Sequence, residues 1–368
     1  MDSRIAVAVT GGAGFVGSNI AIWLKTTRPD WRIICLDNLK RRGSEIIINR
    51  LQSAGIDFIH CDVRLSDDLL SINVKLDWLI DCAAEPSVLA GGTGNSRYII
   101  DNNLMGTVNC LELARQHNSR FIFISTSRIY PTELLNSINL EETDTRYSLS
   151  AKQTIPGVSI HGISERFPLD GVRSLYGSTK LSSELFIQEY GDIFGLQYII
   201  NRCGVITGPW QMGKEDQGVV TLWVARHYFH EPLSYIGWGG TGKQVRDILD
   251  IRDLTNLIDL QIKGFERHSN QIYNIGGGTQ RSISLLELTE VCTKITGNRL
   301  SMKSNPRTRY ADIKFYITDS SKISSLAGWV PKYSTFDTIL SVFDWIRSNE
   351  KSVKNILCLN TRKTVLLP

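Results

Sequence analysis

Metal-binding spacing is missing from this sequence. The seven cysteines (Cys35, Cys61, Cys82, Cys110, Cys203, Cys292, Cys358) are odd in number and scattered, with no close pair of the kind that ligates zinc. Most fall inside apolar runs, so they are expected as reduced, buried hydrophobes, and no metal is expected. No apolar run approaches the roughly 18 residues of a membrane span. The opening MDSRIAVAVTGG runs straight into a strand without the apolar core and cleavage site of a leader, so a cytoplasmic location is expected. An excess of one charge is lacking too. Lys and Arg number 41 against 37 Asp and Glu, a net +4 without blocks. That argues against nucleic acid or a membrane surface as a bulk electrostatic partner and leaves room for a local basic site. No internal repeat or low-complexity tract is visible.

What is present is a core. At 368 residues and 42% hydrophobic composition, the chain is long enough for about two domains. Its first half alternates short β-branched runs with helical patterns, the signature of a parallel sheet covered on both faces. Six strands are expected: RIAVAVT from Arg4, WRIICLD from Trp31, DFIHCD from Asp57, DWLIDCAA from Asp77, RFIFIST from Arg120 and LQYIINRC from Leu196. The expected fold is therefore α/β: a Rossmann-type doubly wound parallel sheet with a smaller mixed α/β C-terminal substrate domain. The expected boundaries are 1–208 for the nucleotide-binding domain, with a long polar insertion at 131–173 and part of 243–275 packing back on it. Residues 209–349 form the second domain, with a capped helix opening at Ser284 and Glu287, and 350–368 form a tail without clear periodicity. Two helical stripes, Leu104, Val108, Leu111 and Leu113, then Leu181, Leu185 and Phe186, either cover the sheet or meet a partner subunit.

VAVTGGAGFVGSN follows the first strand and opens the first helix. In that setting Gly11 makes the turn, Gly14 lets the backbone approach a pyrophosphate, and Gly17 allows close helix–strand packing. Asp37 ends the second strand about 20 residues on, where a carboxylate accepts hydrogen bonds from ribose hydroxyls and repels a 2′-phosphate. NAD is thus favoured over NADP, although Arg41 and Arg42 follow closely. Asp62, ending the third strand, is expected at the adenine.

SLYGSTKL places Tyr176 and Lys180 one helical turn apart. The spacing alone selects nothing, because Tyr310 and Lys314 in YADIK repeat it. Position selects: Tyr176 opens a helix in the nucleotide-binding half, after a strand that ends in Thr126, at the edge where α/β proteins bind ligands. To act as a base near neutrality a tyrosine of pKa about 10 must be lowered by about 2 to 3, at about 1.4 kcal/mol each. Lys180 and an oxidised nicotinamide are the expected sources of that field, with Thr126 orienting the substrate hydroxyl.

With these motifs the sequence resembles the extended short-chain dehydrogenase/reductase family, and within it most closely the CDP-paratose (CDP-tyvelose) 2-epimerases. The resemblance runs from about Ile5 to Trp345 and rests on TGGAGFVG and YGSTK, with EETDTRY, SERFPLDGVRSLYG, DQGVVTLWV, GGTGKQVRDIL and YNIGGG. It implies that Thr126, Tyr176 and Lys180 are the catalytic set, that Asn103 supports them, and that Lys180 holds the nicotinamide ribose. Ala83 and Cys203 are implied to line the cofactor, and Phe15, Val16, Asn38 and Val63 complete the cofactor-binding set. Arg246 and Arg309 match positions that grip the nucleotide diphosphate, and Gln217 reaches the sugar or nucleotide. The chain departs from the family in ISTSRIYP, which ends in Pro131 where glycine is usual, and in RYAD after Arg309.

Dehydratases of this family need a carboxyl acid and base directly after the catalytic threonine, where this chain has Ser127 and Arg128. Elimination is therefore disfavoured. What the resemblance implies is NAD-dependent epimerisation of a CDP-linked hexose or deoxyhexose at C2, of CDP-paratose/CDP-tyvelose or CDP-glucose type. Its alternatives are a UDP-hexose 4-epimerase or a noncatalytic NAD-binding module. A homodimer or homotetramer is expected.

Overall fold

A computed structural model of the chain describes residues 4–92, 95–214 and 217–358. β1 (Ala6–Thr10), β2 (Arg32–Asp37), β3 (Asp57–His60), β4 (Trp78–Asp81) and β5 (Arg120–Thr126) join two later strands in one parallel sheet. The spatial order is Gln271–Ile275, Tyr198–Cys203, β5, β4, β1, β2, β3. Alternation along β1 shows why both faces are covered. Val7 and Val9 enter one core while Ala6 and Ala8 enter the other. This is the doubly wound α/β sheet that the sequence predicts, with one strand more than the six expected. Gln271–Ile275 is short, precedes three glycines, and pairs with a strand about 70 residues earlier, so no local periodicity marks it.

Register brings the strand ends to one edge. Thr10 pairs with Asp81, Cys203 with Thr126, and Ile275 with Cys203. The site residues sit along that carboxyl edge, where the loops leave room for a ligand.

The second unit is built on Val245–Asp250, flanked by Val205–Thr207, Ser282–Ser284 and Phe315–Tyr316. Helices Val219–Tyr228, Leu285–Thr296 and Thr335–Ser348 close over it through Trp223, Leu288 and Val342. The helix after Ser284 carries a reciprocal capping box with Glu287. The polar insertion is not one long loop. It folds into a short helix, Thr132–Asn136, and two hairpins, because Tyr130, Ile163 and Phe167 bury against Ile313 and Tyr316. The uninterpreted tail also begins as a helix, Glu350–Leu357, with Val353 and Leu357 buried; residues 359–368 lie outside the described residues.

Beneath the carboxyl edge lies a buried ion pair. Arg202 donates to Glu184 at 2.8 Å, and both side chains are nearly inaccessible. Ser125 donates to the same carboxylate. Arg202 also reaches the Tyr130 hydroxyl at 3.3 Å, which donates to Asn274 at 2.8 Å. The network ties helix Leu175–Phe194 to three adjacent strands.

The two helical stripes part ways. Leu111 and Leu113 are buried in the sheet core, with Leu104 and Val108 half-buried. On helix Leu175–Phe194, Leu185, Phe186, Ile193 and Phe194 stay exposed. Among the described residues, no helix is long and apolar enough to cross a membrane.

Candidate active site

The turn after β1 requires glycine. Gly11 has φ +60°, and a Cβ there would stand 2.9 Å from the Cys82 carbonyl oxygen; a Cβ on Gly17 would stand 2.3 Å from that of Gly11. The helix Phe15–Thr27 then starts at Gly14 with no side-chain cap and no acidic residue in its first turn. Its amide end is thus left to an anion. Phe15 and Val16 face the cavity described below.

Asp37 takes backbone amides from Leu39 (2.8 Å) and Ala13 (3.0 Å), one on each oxygen. A carboxylate oxygen has a second lone pair, so ribose hydroxyls can still be accepted. Burial raises its pKa above the ordinary carboxylate value. The nearby arginines have partners in the second half of the chain: Arg41 donates to the Met212 carbonyl at 2.8 Å and to Gln217, and Arg42 to the Asn355 carbonyl at 2.9 Å. Their engagement there fits NAD better than a 2′-phosphate. Asp62 is gripped by Arg64 and by Asn38 at 3.2 Å, and the Arg64 hydrogen bonds hold its carboxyl at about 2. Val63 packs beneath Gly106 and its carbonyl accepts from Asn109 at 2.8 Å.

The loop after β4 is held as firmly. Ala83 donates its amide to Thr10 at 3.2 Å, and Thr10 donates to Asp81 at 2.6 Å. Asn103, fully buried in a single π-helical turn, accepts from the Glu85 amide at 2.7 Å. Its own amide donates to the Glu85 carbonyl (3.1 Å) and to Thr179 (3.3 Å). Asn103 therefore holds the loop after β4 and the helix Leu175–Phe194 together.

Ser174 caps the helix Leu175–Phe194 by accepting the Gly177 amide at 3.1 Å. That fixes Tyr176 in the first turn, where it lines one cavity with Thr126 at the end of β5. Lys180 lies one turn on, buried, with Nζ 3.6 Å above the Phe123 ring. Burial lowers its pKa, while Asp81, the Cys82 thiol and Glu184 pull the other way. Tyr310, of the second spaced pair, is exposed and donates to the Arg173 carbonyl at 3.4 Å.

Burial pushes the Tyr176 phenol up to about 12; the neighbouring Thr126 hydroxyl and the charge of Arg128 act to lower it. Lys180, expected from the sequence to supply that charge, rests with its ammonium over the Phe123 ring. The sequence names Arg128 only as the residue that replaces a dehydratase carboxyl, and nothing in its spacing sets it in one cavity with Tyr176.

Thr126, Tyr176, Cys203, Gln217, Arg246 and Arg309 line one cavity of about 440 Å³. Cys203 is a buried thiol pushed up to about 12 by desolvation. Arg246 donates to the Ile313 carbonyl at 2.6 Å and stands 3.5 Å from Asp312. Burial, and then Arg128, bring its pKa down to about 10. In RYAD, Ala311 adopts φ 55°, so the turn keeps a glycine-type conformation without glycine.

A mononucleotide-type turn, a ribose carboxylate and a tyrosine–threonine pair thus share one edge with the arginines beyond it. The profile of the NAD dependent epimerase/dehydratase family matches residues 7–276. The chain belongs to this family. Its cofactor is NAD, and the glycine turn and Asp37 are the features that fit it. CDP-paratose 2-epimerase of Salmonella typhi is 30% identical over 92% of this chain and 98% of its own. UDP-glucose 4-epimerase of Halalkalibacterium halodurans is 26% identical over 93% and 95%. Among solved structures, UDP-glucuronic acid 4-epimerase of Bacillus cereus, in complex with UDP-glucuronic acid and NAD, superposes with a TM-score of 0.76. It is 24% identical, covering 94% of this chain and 99% of that one, so it bears on the family member's fold alone.

Proposed function

We propose that this enzyme epimerises a CDP-linked hexose or deoxyhexose at C2, by transient oxidation to a keto sugar and reduction on the opposite face. The observation that carries the reading is the meeting of Thr126 and Tyr176 in one cavity that also contains Arg246 and Arg309. Residues 1–208 bind NAD and residues 209–349 the nucleotide sugar, with Gln271–Ile275 returned to the first sheet. NAD, when bound, supplies the hydride acceptor and donor together with a positive charge near the phenol. Thr126 orients the sugar hydroxyl, and Tyr176 takes its proton at the phenolic oxygen and later returns it. Lys180 holds the nicotinamide ribose, Arg246 and Arg309 bind the diphosphate, and Gln217 reaches the sugar or nucleotide.

Ser127 and Arg128 provide no carboxyl pair for eliminating water, which favours epimerisation over dehydration. The choice of C2 and cytidine is supported by the likeness to the Salmonella enzyme. Its test is a panel of CDP-, UDP- and dTDP-sugars incubated in heavy water, with products read by NMR. CDP-glucose or CDP-paratose is expected to turn over at C2 with the C2 hydrogen retained. Solvent deuterium at C2 would end the hydride route, and inversion of UDP-glucose at C4 would select the 4-epimerase reading.

Two copies associate, on this proposal, through helix Leu175–Phe194, whose Leu185, Phe186, Ile193 and Phe194 are exposed. Introducing Phe186→Glu together with Ile193→Glu is expected to halve the mass seen in sedimentation. An unchanged mass would move the interface elsewhere.

A further inference from the structure

We propose that Arg128 is a positioning residue of the catalytic centre, fixing the Thr126–Tyr176 pair through its backbone and facing the phenol with its guanidinium. The inference rests on Tyr176 being the base.

Three contacts build the arrangement. The Arg128 amide donates to Thr126 Oγ1 at 3.2 Å, so residue 128 holds the hydroxyl that shares the cavity with Tyr176. A Cβ on Gly177 would lie 2.1 Å from the Arg128 carbonyl oxygen. The first turn of the catalytic helix therefore seats directly on this backbone. At the far end, Nη1 donates to the Ala311 carbonyl at 3.2 Å, the residue with left-handed backbone in the loop that also carries Arg309 and Asp312. A non-glycine residue in that conformation is held there by its surroundings. Arg128 and Tyr176 line the same cavity.

The charges around the phenol are few. Glu85 and the Cys203 thiol oppose ionisation, Arg128 favours it, and Lys180 stands one turn along the same helix. Around Arg128 itself stand Asp312 and Arg246. Arg128 is thus a cation that the protein keeps beside the phenol throughout the cycle, including the stage at which the cofactor is reduced and has lost its positive charge. The same position carries an acid or base in eliminating relatives; a guanidinium performs neither role.

The test is the ionisation of Tyr176 in the NAD-loaded enzyme, followed by NMR of protein carrying carbon-13 at tyrosine Cζ. The resonance is assigned by its loss in Tyr176→Phe. Arg128→Gln keeps a donor for Ala311 without charge; Arg128→Lys keeps charge in another shape. Ionisation is expected to move up by about 1 pH unit in Arg128→Gln and to stay near the native value in Arg128→Lys. The acid limb of kcat/KM should move with it. A native titration in Arg128→Gln, or equal shifts in both variants, overturns the proposal. This readout needs no substrate, so a wrong sugar leaves it intact. Full turnover by Tyr176→Phe would instead remove the base reading on which it rests.

Discussion

Replacing Tyr176 with phenylalanine is expected to cut kcat by about a thousand-fold, within the range that general acid–base groups supply, while NAD stays bound. The size follows from what is lost. The phenol is the group that lines the cavity together with Thr126, Cys203 and Arg246. Phenylalanine preserves the ring and its packing, and Lys180, the glycine turn and Asp37 are untouched. The measurement pairs initial rates on the sugar turned over by the wild type with cofactor content after gel filtration. A loss of less than ten-fold transfers the base role to another residue. Loss of NAD along with activity would make Tyr176 a cofactor anchor instead.

The second large effect concerns stability. Glu184→Leu leaves the Arg202 guanidinium buried with only the Tyr130 hydroxyl beside it. Removing one partner of a buried pair costs about 3 to 5 kcal/mol, because the remaining charge is desolvated without compensation. The double variant Glu184→Leu with Arg202→Met is expected to recover most of that loss, since an apolar pair removes both charges. Urea midpoints of the two variants compare them directly. A single variant within about 1 kcal/mol of wild type would show that water reaches this pair. Glu184 also accepts from Ser125, next to Thr126, so a residual fall in kcat is expected even in the stabilised double variant.

The sheet was legible because parallel strands buried on both faces read as apolar runs, and Gly11 and Asp37 were legible because their chemistry is local to one turn and one strand end. Gln271–Ile275 was not, since its partner is remote and its own five residues carry no period. The insertion read as a loop because its apolar residues, Leu135, Ile163 and Phe167 among them, are too sparse to show a pattern. They become a core only when Ile313 and Tyr316 arrive from far along the chain. Tyr176 and Lys180 were singled out by position. Helical spacing places Lys180 on the same face as Tyr176 but does not say that its ammonium rests on Phe123. Arg128 joins them only when β5, helix Leu175–Phe194 and the 309–312 loop are brought together.

The stitches between the halves carry one more consequence. Ile163 bonds to Ile317 across the insertion, Arg41 reaches Met212, and Arg42 reaches the final helix at Asn355. These straps tie the first sheet's half to the second at several separate points. On the proposed route, the guest then somersaults within a chamber whose two halves are stitched to each other.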